Sequence, residues 1–192
     1  MVLMKVTGTV GKNGSGKDEV LKYLRDAYGI PFYSTGDMVR EIAKSENLEP
    51  TRENLCTISQ RYFDKMGDGC FVRLLADKIR ENPLPAVGIG GIRSLADVIV
   101  LKTAFGDGCV IVNVYVADPC RRFLRMKARG EERDPKTYEK FEEHDQREEA
   151  LFHIEKAQDT ADFTIHNDGS LSDLHAAIER LVREKNLLGF IP

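Results

Sequence analysis

Apolar positions along the chain fall into short runs, and segments with helical spacing separate these runs. The runs predict five strands, over residues 2–10, 30–33, 86–89, 109–117 and 161–166. Helical spacing, N-cap residues and helix-stopping glycines predict helices over 18–28, 36–46, 51–66, 71–80, 95–103, 119–129 and 171–186. Strands that alternate with helices are typical of a parallel sheet joined by crossover connections. We therefore predict an α/β fold with a five-stranded parallel sheet and helices on both faces.

The size and charge of the chain limit the class of partner. It has 192 residues, of which 42% are hydrophobic, and a formal net charge of −3. These values predict one domain with a real core, and they argue against polymeric nucleic acid or a membrane surface as a partner. The longest uncharged stretches have about ten residues, whereas a membrane-spanning helix needs about 20 apolar ones. Because the four cysteines include no CxxC pair, we expect reduced thiols and a cytoplasmic protein.

The stretch 131–149 stands out because it contains nine acidic and four basic residues. It predicts either a solvated helix or a mobile flap, and the charge alone favours the solvated helix. The histidines and cysteines show no spacing typical of a zinc site, so no structural zinc is expected.

A glycine-rich segment carries the clearest candidate chemistry. Residues 11–17 read GKNGSGK, which fits the phosphate-binding pattern GxxxxGK, between the first predicted strand and the first predicted helix. Small residues let backbone N–H groups turn toward a polyphosphate, and the lysine reaches its β- and γ-phosphates at a helix N-terminus. The residues predicted to bind ATP here are Gly11, Asn13, Gly14, Ser15, Gly16 and Lys17.

The residue after Lys17 departs from this pattern. A serine or threonine whose hydroxyl binds Mg²⁺ is expected there, and this chain has Asp18. A carboxylate also binds Mg²⁺, directly or through water, although it adds negative charge beside the phosphates. Asp18 is therefore both a predicted nucleotide-loop residue and the candidate metal ligand.

A second motif follows the second predicted strand. Residues 34–40 read STGDMVR and resemble the STGDMLR segment of adenylate kinases and related nucleoside monophosphate kinases. By this resemblance Thr35 and Gly36 contact the base of the acceptor, and Arg40 binds its phosphate. An arginine suits this role because a guanidinium group matches phosphate oxygens in a bidentate way.

Residues 88–94 read GIGGIRS and resemble the DGIRS element after the third strand of these kinases. The resemblance makes Arg93 a second ligand of the acceptor phosphate. The leading aspartate of that element, which orients hydrated Mg²⁺, is Gly90 in this chain. The sequence thus departs from the family at two positions that serve the metal, and Asp18 is the candidate replacement for the missing acid.

Six basic residues lie between positions 121 and 133. Nucleotide kinases place such arginines at the base of a lid, and by resemblance Arg125 stacks on the donor adenine while Arg129 neutralises the donor phosphates. Arg133 and Arg147 lie on either side of much of the acidic stretch, as lid arginines do. Phosphoryl transfer depends mainly on positioning and on neutralisation of charge. The predicted catalytic residues are Lys17, Arg40, Arg93, Arg129, Arg133 and Arg147.

A last motif spans residues 161–171, ADFTIHNDGSL, and resembles a segment of dephospho-CoA kinases and of P-loop kinases related to both groups. In such folds the loop after this strand contacts the donor base, which makes Asn167 and Gly169 candidates. Asn-Asp-Gly before a helix is equally typical of a tight turn followed by an N-cap.

Together these resemblances span nearly the whole chain and imply a P-loop NTPase fold. They imply a core (1–33, 83–130 and 149–192), a helical acceptor-binding insertion over about 34–82 and a short lid over about 130–148. The implied activity is ATP- and Mg²⁺-dependent phosphoryl transfer to a phosphate-bearing small molecule, a nucleoside monophosphate first and dephospho-CoA second. The departures at the metal positions keep a nucleotide-binding switch or weak ATPase as an alternative. The sequence predicts no oligomeric state.

Overall fold

The fold is described by a computed structural model that covers residues 4–131 and 134–188. The strands are β1 (Lys5–Val10), β2 (Phe32–Ser34), β3 (Ala86–Ile92), β4 (Cys109–Tyr115) and β5 (Phe163–His166). The helices are α1 (Lys17–Tyr28), α2 (Thr35–Ser45), α3 (Arg52–Met66), α4 (Cys70–Glu81), α5 (Leu95–Phe105), α6 (Pro119–Arg129), α7 (Tyr138–Phe152), α8 (Ile154–Gln158) and α9 (Leu171–Glu184). A 3-10 turn (Gly106–Gly108) links α5 to β4.

All five strands pair in parallel, in the spatial order β2–β3–β1–β4–β5. The first strand lies at the centre of the sheet, between β3 and β4. The order of the strands reverses direction at this point, and open parallel sheets bind ligands beyond the carboxyl ends of the strands at such a switch point. The predicted α/β fold with a five-stranded parallel sheet is confirmed.

Buried side chains hold helices on both faces of the sheet. On one face, Leu75 of α4 and Leu101 of α5 pack against β1 and β3. On the other face, Leu24 of α1 and Ile178 of α9 pack against β4 and β5. A third cluster joins α2, α3 and α4 outside the sheet and consists of Val39, Ala43, Ile58, Cys70 and Phe71. This helical group lies within the predicted insertion.

Two glycines of β3 make room for a core side chain. Leu21 of α1 is almost wholly buried. Its Cδ2 would lie 2.8 Å from a Cβ built at Gly88, and its Cδ1 would lie 3.0 Å from one at Gly90. The prediction that this strand ends before the glycine pair is wrong, because β3 continues to Ile92. Gly90 and Gly91 read as a turn in the sequence, but in the fold the small residues Gly88 and Gly90 admit α1 close to the sheet.

The acidic stretch contributes most of α7, which packs on α6 through aromatic residues. The ring of Phe141 is buried, and its centroid lies 5.8 Å from that of Phe123. The short helix α8 follows directly and was not predicted. Among the described residues, no helix combines the length and the apolar character that crossing a bilayer requires.

Candidate active site

The segment between β1 and α1 forms a loop whose glycines leave no room for a side chain. Gly14 and Gly16 have φ angles of +76° and +94°, in the left-handed region that favours glycine. A Cβ at Gly14 would lie 2.6 Å from the carbonyl oxygen of Arg122, and one at Gly16 would lie 2.5 Å from Nδ2 of Asn167. The loop is therefore held against α6 and the segment after β5. It ends at the N-terminus of α1, where backbone amides favour an anion.

Lys17 begins α1, and its side chain is half-buried among charged groups. Burial lowers the pKa of Lys17, and the nearby Arg93 and Arg129 lower it further. The carboxylates of Asp18 and Glu148 act on this pKa in the opposite direction. An ammonium group that has lost water and has cationic neighbours gains from an anionic ligand, which replaces part of the lost solvation. This environment fits a phosphate group.

Asn13 forms hydrogen bonds with two side chains, one through its backbone and one through its side chain. Its carbonyl oxygen accepts a hydrogen bond of 3.1 Å from Nη1 of Arg122, and its side-chain amide donates one of 2.8 Å to Oε2 of Glu148. The other carboxylate oxygen of Glu148 lies 3.5 Å from Nη1 of Arg93. Since the Glu148 side chain is only 13% exposed, this carboxylate is a partly desolvated link between the loop and Arg93.

Sequence reasoning missed the acidic side of this site. Lys12 lies 2.7 Å from Glu155 and 3.8 Å from Glu149, and Asp145 binds Arg122 in α6. Asp145 precedes Glu148 by three residues and Glu149 by four, which places these acids on one side of α7. That spacing was the available signal, but it does not identify Lys12, Asn13 or Arg122 as the partners of these acids.

The residues predicted to bind the acceptor surround the start of α2. Thr35 begins this helix, and its hydroxyl donates a hydrogen bond of 3.0 Å to the carbonyl oxygen of Gly91 in β3. Gly36 is close to Arg40, because a Cβ on Gly36 would lie 3.6 Å from the guanidinium nitrogens. Arg40 itself pairs with Asp37 on the same helix. The structure thus brings Thr35, Gly36 and Arg40 together at the carboxyl edge of the sheet.

The three residues predicted to surround the adenine also meet. Nη2 of Arg125 donates hydrogen bonds to the carbonyl oxygens of Asn167, at 2.9 Å, and Gly169, at 3.5 Å. Burial lowers the pKa of Arg125, and Arg121 lowers it further. Nη1 of Arg125 is buried without a hydrogen-bond partner in the part of the chain that is described. A buried donor without a partner is costly, so this position suits a ligand that supplies an acceptor.

The predicted lid arginines have different surroundings. Nε of Arg129 lies 3.0 Å from the buried carboxylate of Asp134, and this hydrogen bond raises the pKa of Arg129. Arg147 is exposed on α7. Arg133 lies outside the described residues. The closing of a lid over the donor stays a prediction.

Asp18 is the candidate metal ligand in the first turn of α1, and it is exposed there. Gly90 in β3 offers no carboxylate. Within residues 4–131 and 134–188, no three histidine, cysteine, aspartate or glutamate residues cluster as a metal site would. The single carboxylate of Asp18 would suit a Mg²⁺ ion that takes its other ligands from phosphates and water.

Comparison with known proteins shows which family this chain belongs to. A family model described as an AAA domain matches residues 10–142. The UPF0200 protein TK1334 of Thermococcus kodakarensis is 36% identical over 176 residues, which cover 91% of this chain and 94% of that protein. The chain belongs to the UPF0200 family. A second UPF0200 relative, from Hyperthermus butylicus, is 36% identical over 172 residues and covers 90% of both chains.

Solved structures similar to this UPF0200 member agree on the fold. Shikimate kinase from Acinetobacter baumannii, solved in complex with shikimate, matches with a TM-score of 0.61 and 14% identity, covering 97% of each chain. TT1252 from Thermus thermophilus matches with a TM-score of 0.63 and 20% identity, covering 94% of this chain and 97% of that one. The UPF0200 member therefore has a P-loop NTPase-like fold of the kind found in kinases.

Proposed function

We propose that this UPF0200 member is a nucleotide kinase that transfers the γ-phosphoryl group of ATP to a phosphate-bearing small molecule, with a nucleoside monophosphate as the preferred acceptor. The observation that carries the proposal is the environment of Lys17. This partly buried ammonium group lies at a helix N-terminus, after a loop with two left-handed glycines. Such a site has both the hydrogen-bond donors and the electrostatic demand for a polyphosphate.

In this proposal the donor is Mg²⁺–ATP. The loop and Lys17 bind its phosphates, and Asp18 holds Mg²⁺ with phosphate oxygens and water. The unpartnered Nη1 of Arg125 supports an adenine site between Arg125, Asn167 and Gly169. The magnesium ion neutralises phosphate charge and orients the transferred group. Donor and acceptor meet in line, so no covalent intermediate on the protein is needed.

The acceptor assignment depends on cations at the edge of the sheet. Arg40 and Arg93 are the proposed ligands of the acceptor phosphate, and Thr35 and Gly36 the proposed contacts of its base. The resemblance of residues 34–40 to the adenylate kinase segment supports a nucleoside monophosphate. The resemblance of residues 161–171 supports dephospho-CoA as the second choice. The proposal includes a cytoplasmic location and small-molecule partners, without polymeric nucleic acid or a membrane.

The same proposal assigns a role to each part of the chain. The core binds ATP, the insertion over about 34–82 binds the acceptor, and the segment over about 130–148 serves as a short lid. Arg129, Arg133 and Arg147 then neutralise phosphate charge when the lid closes. Closure also excludes water, which would divert the phosphoryl group into hydrolysis.

A second candidate function is a nucleotide-binding switch or weak ATPase. One observation favours it: Gly90 is buried in β3 and supplies no carboxylate where the related kinases orient the metal. Without that acid the metal is less well held, and efficient transfer to an acceptor suffers. The nucleotide would then act mainly through its binding.

One assay separates these functions. ADP formation from Mg²⁺–ATP is measured with each nucleoside monophosphate and with dephospho-CoA, and Lys17→Ala serves as the inactive control. A rate that an acceptor raises at least about tenfold supports the kinase. A slow rate that no acceptor changes supports the switch or ATPase and contradicts the kinase. Phosphorylated product, identified by mass, distinguishes the two acceptor classes.

A further inference from the structure

A buried arginine lies directly beneath the phosphate-binding loop. Arg122 in α6 is only 4% exposed. Its guanidinium group makes two hydrogen bonds of 2.6 Å to the carboxylate of Asp145 in α7. Nη1 also donates to the carbonyl oxygen of Asn13, at 3.1 Å. The guanidinium carbon lies 5.0 Å from the centre of the Phe141 ring. One side chain thus joins the loop, α6 and α7.

Stability alone is a poor explanation for such a pair. Two charges lose their hydration when they are buried, and well-packed apolar residues of similar volume are often as stabilising or more so. The third contact of the guanidinium group offers a more specific explanation. It is made to a backbone carbonyl of the loop, which no apolar residue could bind.

That contact determines which way one peptide group of the loop faces. In a trans peptide the C=O and the following N–H point in opposite directions. Because the carbonyl of Asn13 faces the guanidinium group of Arg122, the N–H of Gly14 points away from that group. The backbone of Gly14 is also packed tightly on α6, where a Cβ would lie 2.6 Å from the Arg122 carbonyl oxygen.

We infer that the Arg122–Asp145 pair is a positioning device for the phosphate-binding loop, which holds the Asn13–Gly14 peptide with its N–H turned away from the guanidinium group and toward a phosphate oxygen. This inference rests on the proposed binding of ATP by the loop. Arg122 is a positioning residue, because its contacts are made to Asp145 and the loop backbone. Asp145 orients the guanidinium group and compensates its charge.

A double variant separates positioning from stability. Arg122→Met with Asp145→Leu replaces both charges by apolar side chains, while either single change leaves a buried charge without its partner. If the pair is a positioning device, the double variant keeps a cooperative thermal transition but binds ATP more weakly, with a dissociation constant raised about 10- to 100-fold. In steady state the KM for ATP rises by a similar factor, while the KM for the acceptor stays within about twofold.

The measurements use the full chain, with isothermal titration of Mg²⁺–ATP and thermal unfolding. Lys102→Met is the control, since it removes an ion pair of 2.8 Å with Asp162, which precedes β5. We expect this control to bind ATP as the wild type does. A folded double variant with wild-type ATP affinity would overturn the inference.

Two further results of these measurements would have different consequences for the inference. If the double variant does not fold, Arg122→Lys takes its place: it retains the charge but cannot make the same set of hydrogen bonds. Its ATP dissociation constant must also rise about tenfold or more, and an unchanged value would overturn the inference. If the wild type itself does not bind ATP, and Lys17→Ala is indistinguishable from it, the proposed function has failed rather than the positioning role alone.

Discussion

The side-chain amide of Asn167 donates a hydrogen bond of 2.8 Å to the carbonyl oxygen of Ser15, across 152 residues of sequence. Asn167 is 4% exposed and Ser15 is 1% exposed, so water cannot readily replace this bond. Asn167→Ala should therefore reduce the free energy of unfolding by about 1–3 kcal/mol, since it leaves a buried carbonyl without its donor. Urea denaturation measures this. Asn82→Ala, at an exposed asparagine, is the control and should change stability by less than about 0.5 kcal/mol.

Lys17→Ala should abolish measurable ATP binding and leave the fold intact. The loss should exceed about a hundredfold in affinity because a charge-assisted contact to phosphate is removed from a desolvated site. Since burial lowers the pKa of Lys17, the folded state gains little from its charge, and the thermal midpoint should stay level or rise. Lys22→Ala, on the exposed side of α1, should leave ATP binding unchanged. Retained affinity in Lys17→Ala would mean that the loop does not bind the phosphates.

Asp18→Ala should raise the Mg²⁺ concentration needed for half-maximal ATP turnover by about five- to tenfold, because a first-turn carboxylate no longer holds the ion. Asp18→Ser should recover part of this loss through its hydroxyl. The matched control is Glu19→Ala at the next position, where no change is expected. Titration of ATP binding with and without Mg²⁺ supplies a measurement that is independent of turnover. Identical magnesium dependence in Asp18→Ala and the wild type contradicts the assignment.

Glu148→Gln should strengthen the binding of ATP measured without Mg²⁺ by about three- to tenfold. The carboxylate competes with the ATP phosphates for Lys17, and its removal leaves more uncompensated positive charge beside the loop. The amide preserves the size of the side chain. Glu142→Gln on the exposed surface of α7 should have no effect. Weaker binding in Glu148→Gln would indicate that the hydrogen bond to Asn13 matters more than the charge.

Arg40→Ala should raise the acceptor KM about tenfold or more and change ATP affinity by less than about twofold, because its proposed partner is the acceptor phosphate. Lys44→Ala, one turn further along α2 and exposed, controls for general loss of positive charge. An acceptor KM that is unchanged in Arg40→Ala, beside a raised KM in Arg93→Ala, would restrict the acceptor site to Arg93.

The fold was predictable where hydrophobic spacing is local. The strand at the sheet centre follows from a run of apolar and β-branched residues, and the helix after it from apolar side chains three or four residues apart. Thr51 and Ser94 act as the N-caps expected of them. The end of β3 was not predictable in this way. Glycines in a strand and glycines in a turn look alike until the side chain that packs on them, here Leu21, is known.

Part of the candidate site was also predictable from the sequence. Glycine spacing indicated the loop, because only a residue without a Cβ fits the backbone at Gly14 and Gly16. The composition of the acidic stretch favoured a solvated helix over a mobile flap, and neither interpretation assigns partners to the acids of α7. Their partners Asn13 and Arg122 are specified by how α7 packs on α6, which is a property of the tertiary structure.

The packing of Leu21 on Gly88 and Gly90 also limits how this chain can change. An aspartate at position 90 would place its Cβ 3.0 Å from Cδ1 of Leu21, a residue with only 1% of its surface exposed. A side chain at position 90 therefore requires Leu21 to shift by a few tenths of an ångström within a packed core. Close packing of α1 on β3 and a side chain at position 90 thus compete for the same space, and the candidate carboxylate of this chain, Asp18, belongs to α1 itself.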